Sequence, residues 1–346
     1  MEKLKSITVL MCVYNGERFL LEQLESLRNQ TRQPEEVIIY DDCSTDSSVI
    51  LINQYISKYN LSSSWKIKIN QYRKDWRFNF YDAISECNGD LIFFCDQDDV
   101  WYPDKISIMA DAMQKNPDIC VLTGFFKTID ANGNSVNVMD WTSKNIYNRK
   151  IIKSYLGESI FVWKQRNGCT MVIRKIVKEQ LKYFNRNENF AHDVWALNIG
   201  SLLGGCYHIN YPVIKYRVHE NNTDNTASKR KAQRLNKEER ILELSNKINY
   251  LEYIFNGVRL INNDLIDHNE FHIFIKAISF YKFKLDIINY FKLSNIIKIF
   301  YFINIYIKYV KLKQLFIDIL EIFRLFDQIR NIKYLFIKRD TQRINN

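Results

Sequence analysis

Glycine and proline are scarce, ten and four among 346 residues. That scarcity excludes a collagen repeat, an elastic linker and proline-rich disorder. Paired metal-ligand cysteines are missing as well. Cys12, Cys43, Cys87, Cys95, Cys120, Cys169 and Cys206 are odd in number and include no CxxC spacing. Most sit in apolar stretches and read as small buried thiols of a reducing compartment. No uncharged apolar run reaches 18 residues, so a membrane-spanning helix is not expected. The first apolar run, Ile7–Tyr14, is too short for a secretory signal and runs straight into Asn15-Gly16.

Apolar residues make up 47% of the chain, enough for a sizeable core, and the length suits one large domain with an appendage. The net charge of +10 is unevenly spread: residues 271–346 hold 14 Lys/Arg against 5 Asp/Glu, and the rest of the chain is close to neutral. A neutral body with a basic end points to a nucleic acid or an anionic membrane surface. No stacking motif or glycine-rich RNA signature accompanies the basic and aromatic residues, so no nucleic-acid partner is expected.

Residues 1–125 alternate buried-strand runs with helical spacings. Ile7–Val13, Glu36–Tyr40, Trp65–Ile69, Leu91–Cys95 and Ile119–Thr123 read as strands. Residues 17–29, 46–59, 79–87 and 103–115 read as helices. Repeated βα units imply a mostly parallel α/β sheet whose ligand lies beyond the carboxyl ends of its strands. Acidic residues stand at two such ends, Asp41-Asp42 and Asp96-Gln97-Asp98-Asp99. Residues 130–165 read as a loop-rich insertion, 167–173 as a strand, 189–201 as a helix and 208–216 as short strands around Pro212. The polar stretch 224–240 reads as a flexible link, and helical spacing resumes from Ile241.

Three carboxylates in four residues repel one another at the end of an apolar strand. A helix cap accounts for one or two of them, not three. A hard cation such as Mg²⁺ or Mn²⁺, with a substrate diphosphate, would compensate the cluster. Helix capping after the second strand falls to Asp46 or Ser44, which leaves Asp41 and Asp42 at the strand end, where a carboxylate could accept the imide N–H of uracil or thymine. His192-Asp193 and Tyr216-Arg217-Val218-His219 are individually unremarkable, as a helix cap and a solvent-facing histidine.

Taken in order, however, ITVLMCVYNGERFLLEQLESLRNQT, IIYDDCSTDSS, FFCDQDDVWYPDK, NGCTMVIRK, HDVWALN and YRVHENN form a specific series. Over residues 5–223 the chain resembles the family 2 inverting glycosyltransferases of the GT-A fold, rhamnosyltransferase-like branch. The resemblance implies a Rossmann-like, mostly parallel sheet flanked by helices over residues 1–223, with a donor half (1–125) and an acceptor half (126–223). A link (224–240) and a basic, α-helical C-terminal region (241–346) would follow. It implies nucleotide-sugar contacts from Tyr14, Asn15, Glu17, Asp41, Asp42, Asn79, Asp96, Gln97 and Asp98, with Asp41 on the base. Asp96, Asp98 and His219 would hold Mn²⁺ or Mg²⁺, Asp193 would be the general base, and Gly168, Cys169 and Trp195 would border the acceptor. Similar sequences often show Asn-x-Gly after the third strand. This chain has Arg73-Lys74-Asp75-Trp76-Arg77 instead, with Arg73 available to meet the base or diphosphate.

The expected activity is metal-dependent, inverting transfer of a sugar, with L-rhamnose from dTDP-L-rhamnose as the leading donor. The acceptor would be a lipid-linked saccharide of a surface polysaccharide such as a capsule or cell-wall polymer. A UDP-hexose donor, a sugar nucleotidyltransferase and a non-catalytic docked scaffold are the alternatives. Residues 271–346 would dock peripherally on the anionic inner face of the cell membrane, from the cytoplasm; self-association is left open.

Overall fold

A computed structural model describes residues 6–136, 148–154, 167–186, 191–220, 236–289 and 294–308, with isolated positions 156, 157, 160, 222, 310, 315, 318 and 319. Most of the expected link and the last part of the basic region lie outside the described residues, as do parts of the 130–165 insertion.

The first half is laid down as βα units. Strands β1 (Ile7–Val13), β2 (Glu36–Asp41), β3 (Trp65–Ile69) and β4 (Leu91–Cys95) alternate with helices α1 (Glu17–Arg28), α2 (Ser48–Lys58) and α3 (Trp76–Glu86). Helix α4 (Lys105–Lys115) follows a two-residue strand β5 (Val100–Trp101). Strands β6 (Val121–Ile129), β7 (Ile151–Lys153), β8 (Met171–Arg174) and β9 (Cys206–Arg217) complete the sheet, with the short helix α5 (Lys175–Glu179) and α6 (His192–Leu202) between β8 and β9.

Among the described residues the sheet has nine strands in the order β3-β2-β1-β4-β8-β6-β9-β5, with β7 on β9. β3, β2, β1 and β4 run parallel, and β8 is antiparallel to both β4 and β6. All four of β1, β2, β4 and β8 are covered on both faces. Leu10, Ile38 and Ile92 point into one apolar cluster, while Val9, Met11, Val37, Ile39 and Phe93 point into the other. Burial on both faces is why these strands read as continuous apolar runs rather than alternating ones. Each such side chain contributes about 1.5–3 kcal/mol on burial.

Local departures from the expected elements have physical causes. Residues 168–170 form a 3-10 turn and only Met171–Arg174 is strand. β9 is a single 12-residue strand. Its Pro212 pairs with Phe125 where the register with β6 shifts, which accommodates a residue that has no N–H to donate. Gly124 lies beside that shift, where a Cβ would fall 2.6 Å from Val213 Cγ1.

Helix α7 (Lys237–Val258) begins four residues before the expected position. Asn236 and Glu239 form a reciprocal capping box, with Asn236 N donating to Glu239 Oε2 at 2.7 Å and Glu239 N to Asn236 Oδ1 at 2.8 Å. α7, α8 (His268–Asn289) and α9 (Ser294–Lys308) pack on the sheet side that carries α6. Leu244, Ile248, Leu251, Phe274 and Phe280 belong to the same cluster as Trp195 and Phe184. Asn198 of α6 donates to Tyr250 Oη at 3.1 Å, and Phe184 stacks edge-on with both Trp195 and Tyr253. No helix among the described residues is long and apolar enough to cross a membrane.

Candidate functional site

The carboxyl ends of β1, β2 and β4 open on a cavity of about 620 Å³, where the rule for parallel sheets puts a ligand. Its wall includes Tyr14, Asn15, Asp42, Arg73, Asn79, Asp96, Gln97, Asp98, Gly168, Asp193 and His219. Eleven of the fifteen expected site residues therefore meet around one space, although His219 and Asp98 are 121 positions apart in sequence.

His219 Nε2 lies 2.9 Å from Asp98 Oδ2, and both side chains are largely withdrawn from solvent. The imidazole packs on Phe19 with ring centroids 4.8 Å apart. The loop bearing Asp98 is fixed by Arg217, which is fully buried. Arg217 Nε donates to the Asp98 carbonyl at 2.8 Å and Arg217 N donates to Asp99 Oδ1 at 3.0 Å, while its far end pairs with Glu22. Two ligands at about 2.1 Å from a cation and at right angles are about 3 Å apart. Asp98 and His219 match that separation, face the cavity and offer the oxygen and imidazole donors that Mg²⁺ and Mn²⁺ accept. Asp96 borders the same space, and burial followed by repulsion from Asp98 raises its carboxyl well above the usual range.

A second trio, Asp96, Asp99 and Cys169, has donor atoms within 4.8 Å of one another. It suits a hard cation poorly. Asp99 and Cys169 are fully buried, and burial raises the thiol far above its ordinary value, so it stays protonated. The buried Lys105 ammonium, 2.6 Å from the Cys169 carbonyl, already stands beside it.

Asp193 sits in the first turn of α6 and faces the cavity. Burial pushes its carboxyl up to about 6, against the backbone N–H groups of Val194 and Gly168 that pull it down. Val194 N donates to Asp193 Oδ1 at 2.7 Å. The carboxyl is thus poised for general-base work near neutral pH.

Four expected residues are not on the cavity wall. Asp41 is fully buried and accepts from Ser44 N at 2.9 Å and from the Ser44 hydroxyl, which closes the turn after β2. Asp42 faces the cavity in its place. Glu17 accepts from Ser47 N at 2.8 Å and ties α1 to the start of α2. Cys169 is under the 3-10 turn, and Trp195 points back from α6 into the core, both fully buried. In each case a neighbour in sequence faces the cavity: Gly168 beside Cys169, and Asp193 two residues before Trp195.

Gln97 is on the wall, yet its amide is committed. Tyr14 N donates to its Oε1 at 2.8 Å and its Nε2 donates to the Tyr14 carbonyl at 3.0 Å. This clamp presents the Tyr14 ring, over which the Arg73 guanidinium stacks at 4.0 Å. Gly16 is required beside it, because a Cβ would fall 2.6 Å from Gln97 Oε1.

The loop without the usual glycine is explained by Asp42 and Asp75. Asp75 takes φ 76°, a region L-residues seldom adopt. Asp42 holds it there: Lys74 N donates to Oδ1 at 2.8 Å, Asp75 N to Oδ2 at 3.0 Å, and Asn70 Nδ2 to Oδ1 at 2.9 Å. Asp75 then caps α3 by accepting from Arg77 N at 3.1 Å, which starts that helix three residues before the expected Asn79. Asn15 and Cys43, at φ 50° and 61°, store similar strain beside the cavity.

Sequence reasoning missed several wall residues, among them Arg18, Phe19, Trp76 and Asn222. His192 belongs to the HDVWALN motif and also lies on the wall. His192 is fully buried, stacked on Phe80 with centroids 3.7 Å apart, and neither ring nitrogen has a hydrogen-bond partner. Burial lowers its pKa to about 3, so the ring is neutral. Its Nε2 lies against Gly168, where even a methyl group would overlap it.

The family model described as "Glycosyl transferase family 2" matches residues 8–181. The dTDP-rhamnosyl transferase RfbG of Shigella flexneri is 30% identical over 225 residues, covering 61% of this chain and 72% of that protein. The structure of S. aureus TarS in complex with UDP superposes with TM-score 0.53 at 16% identity, over 81% of this chain and 72% of that one. The mannosyltransferase PcManGT from Pyrobaculum calidifontis, solved with GDP-Man and Mn²⁺, gives 0.50 at 12% identity over 96% and 88%. At such identities the two solved structures speak to the fold alone, which is GT-A.

Proposed function

Because the chain belongs to glycosyl transferase family 2, and so is a glycosyltransferase using a nucleotide-sugar donor, we propose that it performs metal-dependent, inverting transfer to a hydroxyl of a lipid-linked saccharide, with dTDP-L-rhamnose as donor. One observation carries this reading: Asp98, His219 and Asp193 border a single cavity together with the Tyr14–Arg73 pair.

The chemistry follows from what leaves and what attacks. The donor's anomeric carbon loses its bond to the diphosphate as the acceptor oxygen bonds from the opposite face, which inverts the centre. Asp193 takes the acceptor hydroxyl's proton. Asp98 and His219, with Asp96 adjacent, would hold Mg²⁺ or Mn²⁺, which supplies charge compensation for the departing diphosphate. Arg73 lies on the side of Tyr14 and can meet the base or the diphosphate.

Asp42, rather than Asp41, is the acceptor for a pyrimidine imide N–H. Two carboxylate oxygens offer about four lone-pair sites. Three are filled by Asn70, Lys74 and Asp75. This contact does not distinguish thymine from uracil. The rhamnosyl donor is supported by the printed activity of the Shigella relative. A UDP-hexose is the second reading, supported by the UDP complex of a protein sharing the fold.

A thermal-shift panel of nucleotide-sugars with and without Mn²⁺ tests the donor and metal together. The wild-type chain is expected to be stabilised by dTDP-L-rhamnose only when Mn²⁺ is present. His219→Ala and Asp98→Asn should each lose most of that joint stabilisation while keeping the metal-free melting temperature within a few degrees. Stabilisation by every donor without metal would overturn the metal assignment; stabilisation by UDP-hexoses alone would replace the rhamnosyl donor.

Docking on an anionic membrane face is supported by α9. Ile297, Phe300, Tyr301 and Ile307 are 66–74% exposed. At 3.6 residues per turn they fall within an arc of about 120°. Ile299, Phe302, Ile305 and Tyr306 fill the opposite, buried face. The surplus of 14 Lys/Arg over 5 Asp/Glu in residues 271–346 complements anionic lipid. Flotation with phosphatidylglycerol vesicles is expected for the full chain, and Ile297→Asp/Phe300→Asp should cut recovery about tenfold, the loss of two inserted side chains. Equal flotation of the variant, or of the wild type with uncharged vesicles, counts against this surface.

A further inference from the structure

Trp76 borders the cavity, and the reaction above does not use it. It is the first residue of α3 and half-buried, and among the described residues no other tryptophan is on the wall. The turn that delivers it is strained. Asp75 keeps φ 76°, a conformation that persists in a non-glycine residue only where the surroundings impose it. Asp42 imposes it from one side by accepting from Lys74 N and Asp75 N. Asn79 secures the other side. Its N–H donates to the Asp75 carbonyl at 3.0 Å, its Oδ1 accepts from Asn70 Nδ2 at 2.8 Å, and its Nδ2 donates to the Tyr40 carbonyl at 3.2 Å.

The side chain is held as firmly as the backbone. The Arg77 guanidinium lies over the indole, 4.5 Å from the ring centre, and is itself anchored 3.2 Å from Asp75 Oδ1. The His192 ring meets the indole at 83°, with centroids 6.2 Å apart. A rigid aromatic ring on the wall of a polar cavity suits a ligand with an apolar face. A nucleotide-sugar is a linear molecule, with its base at one end and its anomeric carbon at the other. Asp42 marks the base end, and Asp193 marks the place where the anomeric carbon reacts. Trp76 is joined to Asp42 through Asp75, and to Gly168 and the Asp193 side through His192, so it stands between the two. There a pyranose ring presents a face of C–H bonds. Their hydrogens are made slightly positive by the adjacent oxygens and are drawn to the negative face of an indole.

We propose that Trp76 is a substrate-binding residue for the sugar unit of the donor: the indole face left open by Arg77 stacks on the C–H face of the pyranose and turns its anomeric carbon toward Asp193. This rests on the reading that the cavity binds a nucleotide-sugar with its base at Asp42. The 73–77 stretch then serves the sugar as well as the base, because its strained turn fixes an aromatic ring beside the reacting carbon.

Titration calorimetry on the full chain with Mn²⁺, comparing a nucleotide with its nucleotide-sugar, tests this. The pairs are dTDP with dTDP-L-rhamnose and UDP with UDP-glucose. Trp76→Leu stays apolar but has no ring, and it should weaken the nucleotide-sugar about tenfold while changing the nucleotide by less than about twofold. Trp76→Tyr keeps a ring face and should hold both ligands within about threefold of wild type. Equal losses for the two ligands in Trp76→Leu mean a base-stacking or packing role, and an unchanged nucleotide-sugar affinity means an acceptor contact or none; either result overturns the proposal. Wild-type tryptophan emission gives a readout that needs no variant to fold. The nucleotide-sugar should change it well beyond the nucleotide alone, and equal responses to the two overturn the proposal. A wild type that binds the UDP pair in place of the dTDP pair corrects the donor named above and leaves the comparison to run on UDP and UDP-glucose. Binding of neither pair removes the pyrimidine reading and this proposal with it.

Discussion

Asp193→Asn should give a folded chain that still binds its nucleotide-sugar and transfers the sugar about 10²–10⁴-fold more slowly, the usual worth of a positioned general base. The amide fills the same volume and its oxygen can still accept from Val194 N, so neither α6 nor the donor side of the cavity is disturbed. Only proton acceptance is lost. In the wild-type chain the base works when ionised, so kcat should rise with pH and level off above about 6, the value to which burial pushes Asp193. The variant should lack that limb. Folding stability has the opposite slope. The unfolded carboxyl ionises near 3.8 and the folded one near 6. The stability held by the protonated form is therefore full below the first value and fades as pH rises through the second. Steady-state rates on the variant from pH 5 to 8 decide the matter, and near wild-type turnover would remove Asp193 from the mechanism.

Gly168→Ala should be nearly as damaging with no change in any charged group. A methyl group at Gly168 overlaps His192 Nε2, and His192 is closed in by Phe80, Trp76 and Phe94. The ring cannot swing away, so the 3-10 turn must shift and take the N–H beneath Asp193 with it. A displacement of about 1 Å at a reacting group costs on the order of 100-fold in rate. Overpacking of about 1–3 kcal/mol should lower the melting temperature by several degrees. Nucleotide binding at Asp42 and Tyr14 should survive. Combining Gly168→Ala with His192→Ala removes the obstruction and should recover the melting temperature, as read by thermal unfolding. If the single variant matches wild type in rate and stability, the close approach is not functional.

Much of this site was legible because an ordered series of motifs resembles a known family, while spacing and residue type alone pointed only to the acidic strand ends. The three acids after an apolar strand and the distant Tyr-Arg-x-His were paired by the resemblance to a family that carries both, and Asp98 and His219 meet at 2.9 Å. What failed was the choice between adjacent residues. Asp41 and Asp42 have the same chemistry, but Asp41 is the last residue of β2 and turns inward to Ser44, while Asp42 is one step beyond the strand and faces the cavity. A strand's alternation assigns opposite sides to neighbours without saying which side holds the ligand. Cys169 and Trp195 failed likewise, each one or two positions from a residue that lines the wall. The 73–77 loop was unreadable for another reason: its path depends on hydrogen bonds that Lys74 N and Asp75 N donate to Asp42, more than thirty positions upstream. The start of α7 was recoverable, since Asn236 and Glu239 hold the spacing of a capping box. The low regularity of the flanking polar run masked it.

The union of the last helices with α6 bears on how such enzymes can be recombined. Tyr250 is bonded to Asn198, one turn along the helix that bears Asp193, and Gly257 lets Phe184 approach closely enough to back Trp195. The C-terminal helices are thus a brace for the helix that carries Asp193, not a detachable tether. A chimera joined near residue 236 would exchange that brace for a foreign one, whereas one that carries α6 and its three bracing helices as a single cassette would keep Asp193 seated.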